Sequence, residues 1–205
     1  MRRKIAFNIR EQEIHGLLEY MEERLGGINY SATYFKNKLY VSVIGDKEEV
    51  TRSERRVRDL IKEYLLFARG YKGKRYYSLR WVAENGSIDH KLLILVLNKA
   101  GYKAERKGDY IETELDPDSM RAIIYNLCRL REKTRLIVRQ KGVRNIIIAA
   151  SYLAEREPLE VLDLALSEGW MEEKERKYYF RRPPMAVLDN LLMVLKHENR
   201  SGDIE

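Results

Sequence analysis

The side chains best suited to chemistry in this 205-residue chain are cations and aromatic rings, and they crowd the stretch Arg69 to Trp81 (RGYKGKRYYSLRW). Its thirteen residues carry five Lys or Arg, four Tyr or Trp, two Gly and no acid. Cations bind phosphates and aromatic faces stack on bases, so this composition points to a polyanion. The same residues would also serve as a strand end with a solvated basic turn. A second basic zone runs from Arg131 to Asn145. It sets Arg131, Lys133, Arg135, Arg139, Lys141 and Arg144 against one acid, Glu132. That zone could face phosphates, or form a solvated helix packed on the acidic segment after it.

Signatures of catalysis are missing. His15, His90 and His197 are far apart, with no metal-ligand spacing and no C-x-x-C. No Gly-rich loop precedes Lys-Ser or Lys-Thr, and there is no nucleophile elbow. Asp116 and Asp118 flank a helix start, where capping accounts for them. Glu112 and Glu114 share a strand face and could form a carboxylate pair, but Lys103 or Lys107 across the hairpin would neutralise them. The chain therefore reads as non-enzymatic, with no metal and no cofactor expected.

Composition narrows the class further. Hydrophobic residues make up 44% and charged residues 35%, which is globular with a heavily charged skin. No apolar run approaches the ~18 residues needed to cross a membrane, and no signal peptide is evident. The one cysteine, Cys128, cannot form an internal disulfide, so a reducing cytoplasm fits. Gln occurs only at Gln12 and Gln140 among many Lys, Arg and Glu, a balance resembling proteins from hot environments. The net charge of +7 is uneven: residues 1–83 hold 18 basic and 11 acidic side chains, residues 131–150 hold 6 and 1, and the remaining segments are slightly acidic. Such a field can steer a polyanion.

The elements that would position these residues follow from periodicity. Arg2 to Arg10 alternates as a half-buried strand, and Glu11 to Leu25 has helical spacing closed by Gly26-Gly27. Ile28 to Phe35 and Leu39 to Val43 read as strands around a turn at Asn37. Asp46 caps a long helix with Val50, Val57, Leu60, Ile61, Tyr64, Leu65 and Ala68 on its apolar face, stopped at Gly70. Lys74 to Val82 reads as a fourth strand. The order β-α-β-β-α-β predicts a ferredoxin-like α+β domain over 1–83, with a four-stranded antiparallel sheet and both helices on one face. Strand parity then puts Arg2, Lys4, Asn8, Arg10, Lys38, Tyr40, Ser42, Lys74, Tyr76, Ser78 and Arg80 on the open face. A shift by one residue would expose Arg75, Tyr77 and Trp81 instead. On the long helix, Arg52, Arg55, Arg56, Arg58 and Lys62 read as a charge-laced solvent face in preference to a binding stripe.

Residues 28–66, with the run Val-Ile-Gly-Asp-Lys-Glu-Glu-Val, resemble the closing half of a KH domain. The G-x-x-G loop of that family has no counterpart here, so its phosphate clamp is not implied. The layout also resembles RRM domains, without their aromatic central-strand motifs. As a whole, the chain resembles an uncharacterised family of archaeal proteins.

Glu84-Asn85-Gly86-Ser87 marks a break. Beyond it a helix, Gly-aromatic, hairpin, helix unit occurs twice, offset by 68 residues: Gly101 falls on Gly169, Tyr102 on Trp170, Tyr110 on Tyr178, Ile123 on Leu191 and Leu127 on Leu195. The expected divisions are a first α-β-β-α unit over 86–130, then a basic connector and second unit over 131–205, ending in a polar tail from residue 197. Two such units packed together can close a core that neither closes alone. Each glycine is expected to cap its helix while the aromatic packs under the hairpin. A hairpin after a helix also resembles a winged helix, but no helix rich in Arg or Asn reads as a recognition helix.

The functional expectation is a nucleic-acid-binding protein, RNA ahead of DNA. The contact residues expected are Lys4, Arg10, Tyr40, Lys72, Lys74, Arg75, Tyr76, Arg80, Arg135, Arg139, Lys141 and Arg144, with Tyr76, Tyr77 or Trp81 stacking on bases. The alternative is a protein-interaction scaffold or homodimer without a nucleic-acid role.

Overall fold

A computed structural model of the chain describes residues 1–201 of 205, with side chains as far as Lys196. The polar tail expected from residue 197 lies outside the described side chains. The protein is α+β, in two compact units, Met1–Tyr77 and Ser78–Glu205.

The first unit begins with β1 (Arg2–Asn8), α1 (Glu11–Arg24), β2 (Tyr30–Phe35), β3 (Lys38–Ile44) and α2 (Lys47–Ala68). The strands form one antiparallel sheet in the order β1-β3-β2. Leu39, Val41 and Val43 of β3 sit opposite Phe7, Ile5 and Arg3 of β1 and Tyr34, Ala32 and Tyr30 of β2. That face meets the helices through buried Leu17, Tyr20 and Met21 of α1 and Val50, Val57 and Ile61 of α2. The β2–β3 hairpin turns on Lys36-Asn37, both with positive φ (49° and 61°), a primed turn whose twist matches the strands. That turn locks the register. Asp46 caps α2 by accepting from the Glu49 N–H at 2.8 Å, and the Glu49 carboxylate in turn accepts from the Asp46 N–H at 3.0 Å. Glu13, buried at the start of α1, takes a forked pair from Arg69: Nε to Oε1 at 2.7 Å and Nη2 to Oε2 at 2.6 Å. The Arg69 hydrogen bonds hold the Glu13 carboxyl below its ordinary range against the opposing effect of burial.

The sheet has three strands where four were expected. The stretch read as one strand from Lys74 to Val82 divides into β4 (Arg75–Ser78) and α3 (Leu79–Asn85), and β4 is not part of the β1-β3-β2 sheet. Ser78 causes the division: its hydroxyl accepts from the Trp81 N–H at 3.0 Å and caps α3.

The second unit contains the duplication. Its first copy is α4 (His90–Lys99), β5 (Ala104–Lys107), β6 (Tyr110–Thr113) and α5 (Pro117–Ile137); its second is α7 (Pro158–Ser167), β7 (Met171–Lys174), β8 (Lys177–Phe180) and α8 (Pro184–Ser201). The helix ends match at the 68-residue offset. Tyr102 N–H donates to the Leu97 carbonyl and Trp170 N–H to the Ala165 carbonyl, both at 3.0 Å, around Gly101 (φ +94°) and Gly169 (φ +66°). This is the wrapped C-cap that a left-handed glycine permits. Trp170 is buried as expected, whereas Tyr102 is partly exposed. Between the copies, α6 (Lys141–Ala154) runs through the core, with Val143, Ile146, Ile147, Ile148, Ala149, Ala150 and Ala154 all buried. Gly86 presses against α5: a Cβ there would stand 2.7 Å from the Cys128 sulfur.

Candidate nucleic-acid interface

One face of the first sheet is covered by α1 and α2, and the other carries the cations. Register fixes its members. Arg2, Lys4, Ala6 and Asn8 of β1 stand opposite Ile44, Ser42, Tyr40 and Lys38 of β3, and Ser31, Thr33 and Phe35 of β2 stand opposite Ser42, Tyr40 and Lys38. No acidic side chain belongs to this face. Arg2, Lys4, Asn8, Ser31, Thr33 and Lys38 are exposed, and Phe35 is 59% exposed.

The face pairs rings with cations. Lys4 Nζ lies 4.4 Å from the Tyr40 ring centroid, and Lys36 Nζ lies 5.2 Å from that of Phe35. Lys4, Lys36 and Lys38 form no ion pair with an acid among the described residues. An exposed cation–π contact is worth about 0.5–1 kcal/mol, so a lysine can leave its ring for a phosphate at small cost. Strand spacings put Tyr40 and Phe35 roughly 8 Å apart. Two base-sized platforms are thus each flanked by a positive charge.

Arg3, one residue away on the opposite parity, shows the contrast. Its Nη1 lies 2.7 Å from Glu54, which also takes Arg58 at 2.8 Å. The Arg58 hydrogen bonds, then the nearby Arg3 charge, hold the Glu54 carboxyl below its ordinary range. Those guanidiniums are neutralised where the open-face lysines are not.

The other residues expected at the interface fall elsewhere. Lys4 and Tyr40 come together on the sheet, but Arg10 lies beyond β1 as the N-cap residue of α1. Lys72 sits in a tight turn closed by paired Tyr71 and Lys74, with its Nζ 5.3 Å from the Tyr71 ring. Arg75 and Tyr76 are off that sheet because β4 is; Lys74 precedes β4, and Arg80 lies in α3, where it bonds Glu84 at 2.9 Å. Tyr77 and Trp81 are buried, at 0% and 1% exposure, so stacking by either is overturned: both serve the core.

In the second basic zone, α5 continues to Ile137, past the expected end of the first α-β-β-α unit at residue 130. The chain breaks at Val138, before Gly142, which lies inside the first turn of α6. Acids meet much of this charge. Arg131 bonds Glu132 at 2.7 Å, Lys133 bonds Glu157 at 2.6 Å, and Arg135 lies 3.9 Å from Glu132. Lys141 bonds Asp89 at 2.7 Å; burial is the largest single influence and raises that carboxyl, but the Lys141 ammonium and the Lys91 backbone N–H together with nearby charge hold it below its ordinary range. Arg139 and Arg144 have no such partner among the described residues. The carboxylates considered as a pair are also engaged: buried Glu112 takes Lys107 at 2.9 Å.

Sequence reasoning missed Phe35 and Lys36. The signal was the two-residue hairpin turn, which sets Phe35 directly opposite Lys38.

Three comparisons bear on kinship. A family model described as an uncharacterised protein conserved in archaea (DUF2067) matches residues 7–188. The uncharacterised protein MJ0388 of Methanocaldococcus jannaschii is 24% identical over 163 residues, which cover 75% of this chain and 76% of that one. A chain in the crystal structure of the a/eIF2alpha–aDim2p–rRNA complex from Pyrococcus horikoshii OT3 is similar at 8% identity, over 64% of this chain and 83% of its own, with a TM-score of 0.21. A likeness that low bears on neither fold nor function. No described helix is long and apolar enough to cross a membrane.

Proposed function

We propose that this chain, which belongs to the archaeal DUF2067 family, is a non-enzymatic, cytoplasmic RNA-binding protein whose contact surface is the open face of the first sheet. The observation that carries the reading is the acid-free array of exposed Arg2, Lys4, Lys38 and Phe35 around a half-buried Tyr40. A flat sheet with two rings suits splayed bases of a single strand, the usual target of sequence-reading RNA modules. It does not suit a duplex groove, which takes a helix or ribbon. Asn8, Ser31 and Thr33 offer exposed amide and hydroxyl groups that can bond ribose 2′-hydroxyls, which favours RNA over DNA.

A second reading, a protein-interaction scaffold, draws on α5, where Leu136 is 90% exposed and Tyr125 is 67% exposed. The two readings part on one titration of fluorescent single-stranded RNA at low salt. The first expects the Lys4→Glu, Lys38→Glu double variant to lose binding by at least about tenfold, in line with loss of two phosphate contacts. Unchanged binding by that variant would end it.

A further inference from the structure

Beyond the open face, at its Ile44 end, the first unit has a cleft of about 530 Å³. Gly27 and Ile28 from the α1–β2 connection form one side of it, and Ile44 and Gly45 at the end of β3 form another. Arg52 and Arg56 of α2 close it. Four residues apart, these arginines lie one helical turn from each other on the same helix face. Neither makes an ion pair among the described residues. Arg56 Nη2 donates to the Arg24 carbonyl at 2.6 Å, which holds the guanidinium in place. Their neighbours behave differently: Arg58 is bound to Glu54 at 2.8 Å, and Arg55 lies 3.9 Å from Asp59.

The remaining walls suit a nucleotide. Glu49 is the one carboxylate lining the cleft, and its Oε2 is already taken by the Asp46 N–H. The same capping box closes the amino end of α2, so the cations carry the site and the helix terminus does not. Ile44 is 43% exposed, and with Ile28 it supplies an apolar surface on which a base or ribose can lie. Gly27 (φ +81°) and Gly45 leave two stretches of bare backbone, and a Cβ on Gly45 would come within 2.7 Å of Glu49 Oε2. Planar guanidiniums bind phosphate through paired N–H bonds, with more directionality than an ammonium.

We propose that this cleft binds a nucleoside monophosphate group, with the phosphate on Arg52 and Arg56 and the base against Ile28 and Ile44. The group has two possible sources, a free nucleotide or the phosphorylated end of a strand lying on the sheet. Ile44 stands opposite Arg2 on the open face, so a strand lying there ends at the cleft. Only the strand-end source rests on the RNA reading above.

The test is an amide-shift NMR titration of the full chain with AMP and with inorganic phosphate. It is run beside affinity measurements on one RNA oligomer bearing a 5′-phosphate, a 3′-phosphate or hydroxyl ends. Saturable shifts at Gly27, Ile44 and Gly45 are expected with AMP if the source is a free nucleotide. Tighter binding of one phosphorylated oligomer over the hydroxyl form is expected if the source is a strand end. In either case Arg52→Gln with Arg56→Gln should remove the effect by about tenfold or more, since charge-assisted bonds are lost. Lys substitutions at both positions should restore part of it. Lys4→Glu with Lys38→Glu should leave AMP binding intact, so failure of the sheet-face reading stays separate from failure of this one. No cleft shifts with AMP together with no preference for a phosphorylated end overturns the proposal. So does an effect that survives both Gln substitutions.

Discussion

Replacing Lys4 and Lys38 with Gln should change the salt dependence of RNA binding, and by an amount that can be worked out. The open face and its turn present Arg2, Lys4, Lys36 and Lys38 without an acidic partner on that surface. Each phosphate neutralised on a single strand adds about −0.7 to the slope of log affinity against log salt. Four contacts give a slope of about −2.8, or a loss of roughly 50-fold between 50 and 200 mM salt. The double Gln variant keeps two contacts, so its slope should fall to about −1.4 and its loss to roughly sevenfold. Tyr40→Ala should act differently. Losing one stacked base costs about 1–3 kcal/mol, so affinity drops about 5- to 150-fold at every salt while the slope holds. The assay is fluorescence anisotropy with a labelled single-stranded RNA across a salt series, on the full chain. A slope unchanged by the double Gln substitution would refute the assignment of those lysines to phosphates. A slope changed by Tyr40→Ala would refute the assignment of that ring to stacking.

Two further outcomes test the scaffold. Glu13→Gln leaves Arg69 without its carboxylate and should lower the stability of the first unit by about 2–3 kcal/mol, measured by urea midpoint. The folded-state pKa of Glu13 is depressed, so its contribution is full above the ordinary value of 4.5 and fades as pH falls through the folded value; the gap between wild type and variant should therefore close in acid. Gly101→Ala and Gly169→Ala should each cost about 1–2 kcal/mol from left-handed backbone alone, because nothing lies within 4 Å of either added Cβ. Thermal melts giving very different costs for the two would argue against equivalent caps.

Much of the first sheet was legible because one side of each strand is buried. The alternation of Ile5 and Phe7 against Lys4, Ala6 and Asn8, and of Leu39, Val41 and Val43 against Tyr40, fixes which side chains face out. Lys4 and Tyr40 could be placed together on that basis alone. The stretch from Lys74 to Val82 misled for the same reason: Tyr77 alternates with polar neighbours as a strand residue would, yet Ser78 turns the chain into α3, and Tyr77 and Trp81 are drawn into the core. Local pattern records half-burial, not which partner does the burying. The repeat was legible from Gly101 and Gly169, whose backbone needs are the same at both positions. The length of α5 was not, because the charges after Arg129 look like a terminus while Thr134 inside that stretch is buried. Arg52 and Arg56 could not be told from Arg55 and Arg58 by spacing. Which of the four meets an acid depends on strand and loop positions that the helix pattern does not contain.

The most direct measurement is photo-crosslinking of a 4-thiouridine-bearing single-stranded RNA to the full chain at low salt, with attachment sites read by mass spectrometry. The account predicts adducts on Tyr40 and Phe35 and their neighbours Lys4, Lys36 and Lys38. Adducts concentrated on Arg75–Tyr76 or on Arg139–Arg144, with the first sheet untouched, would contradict it.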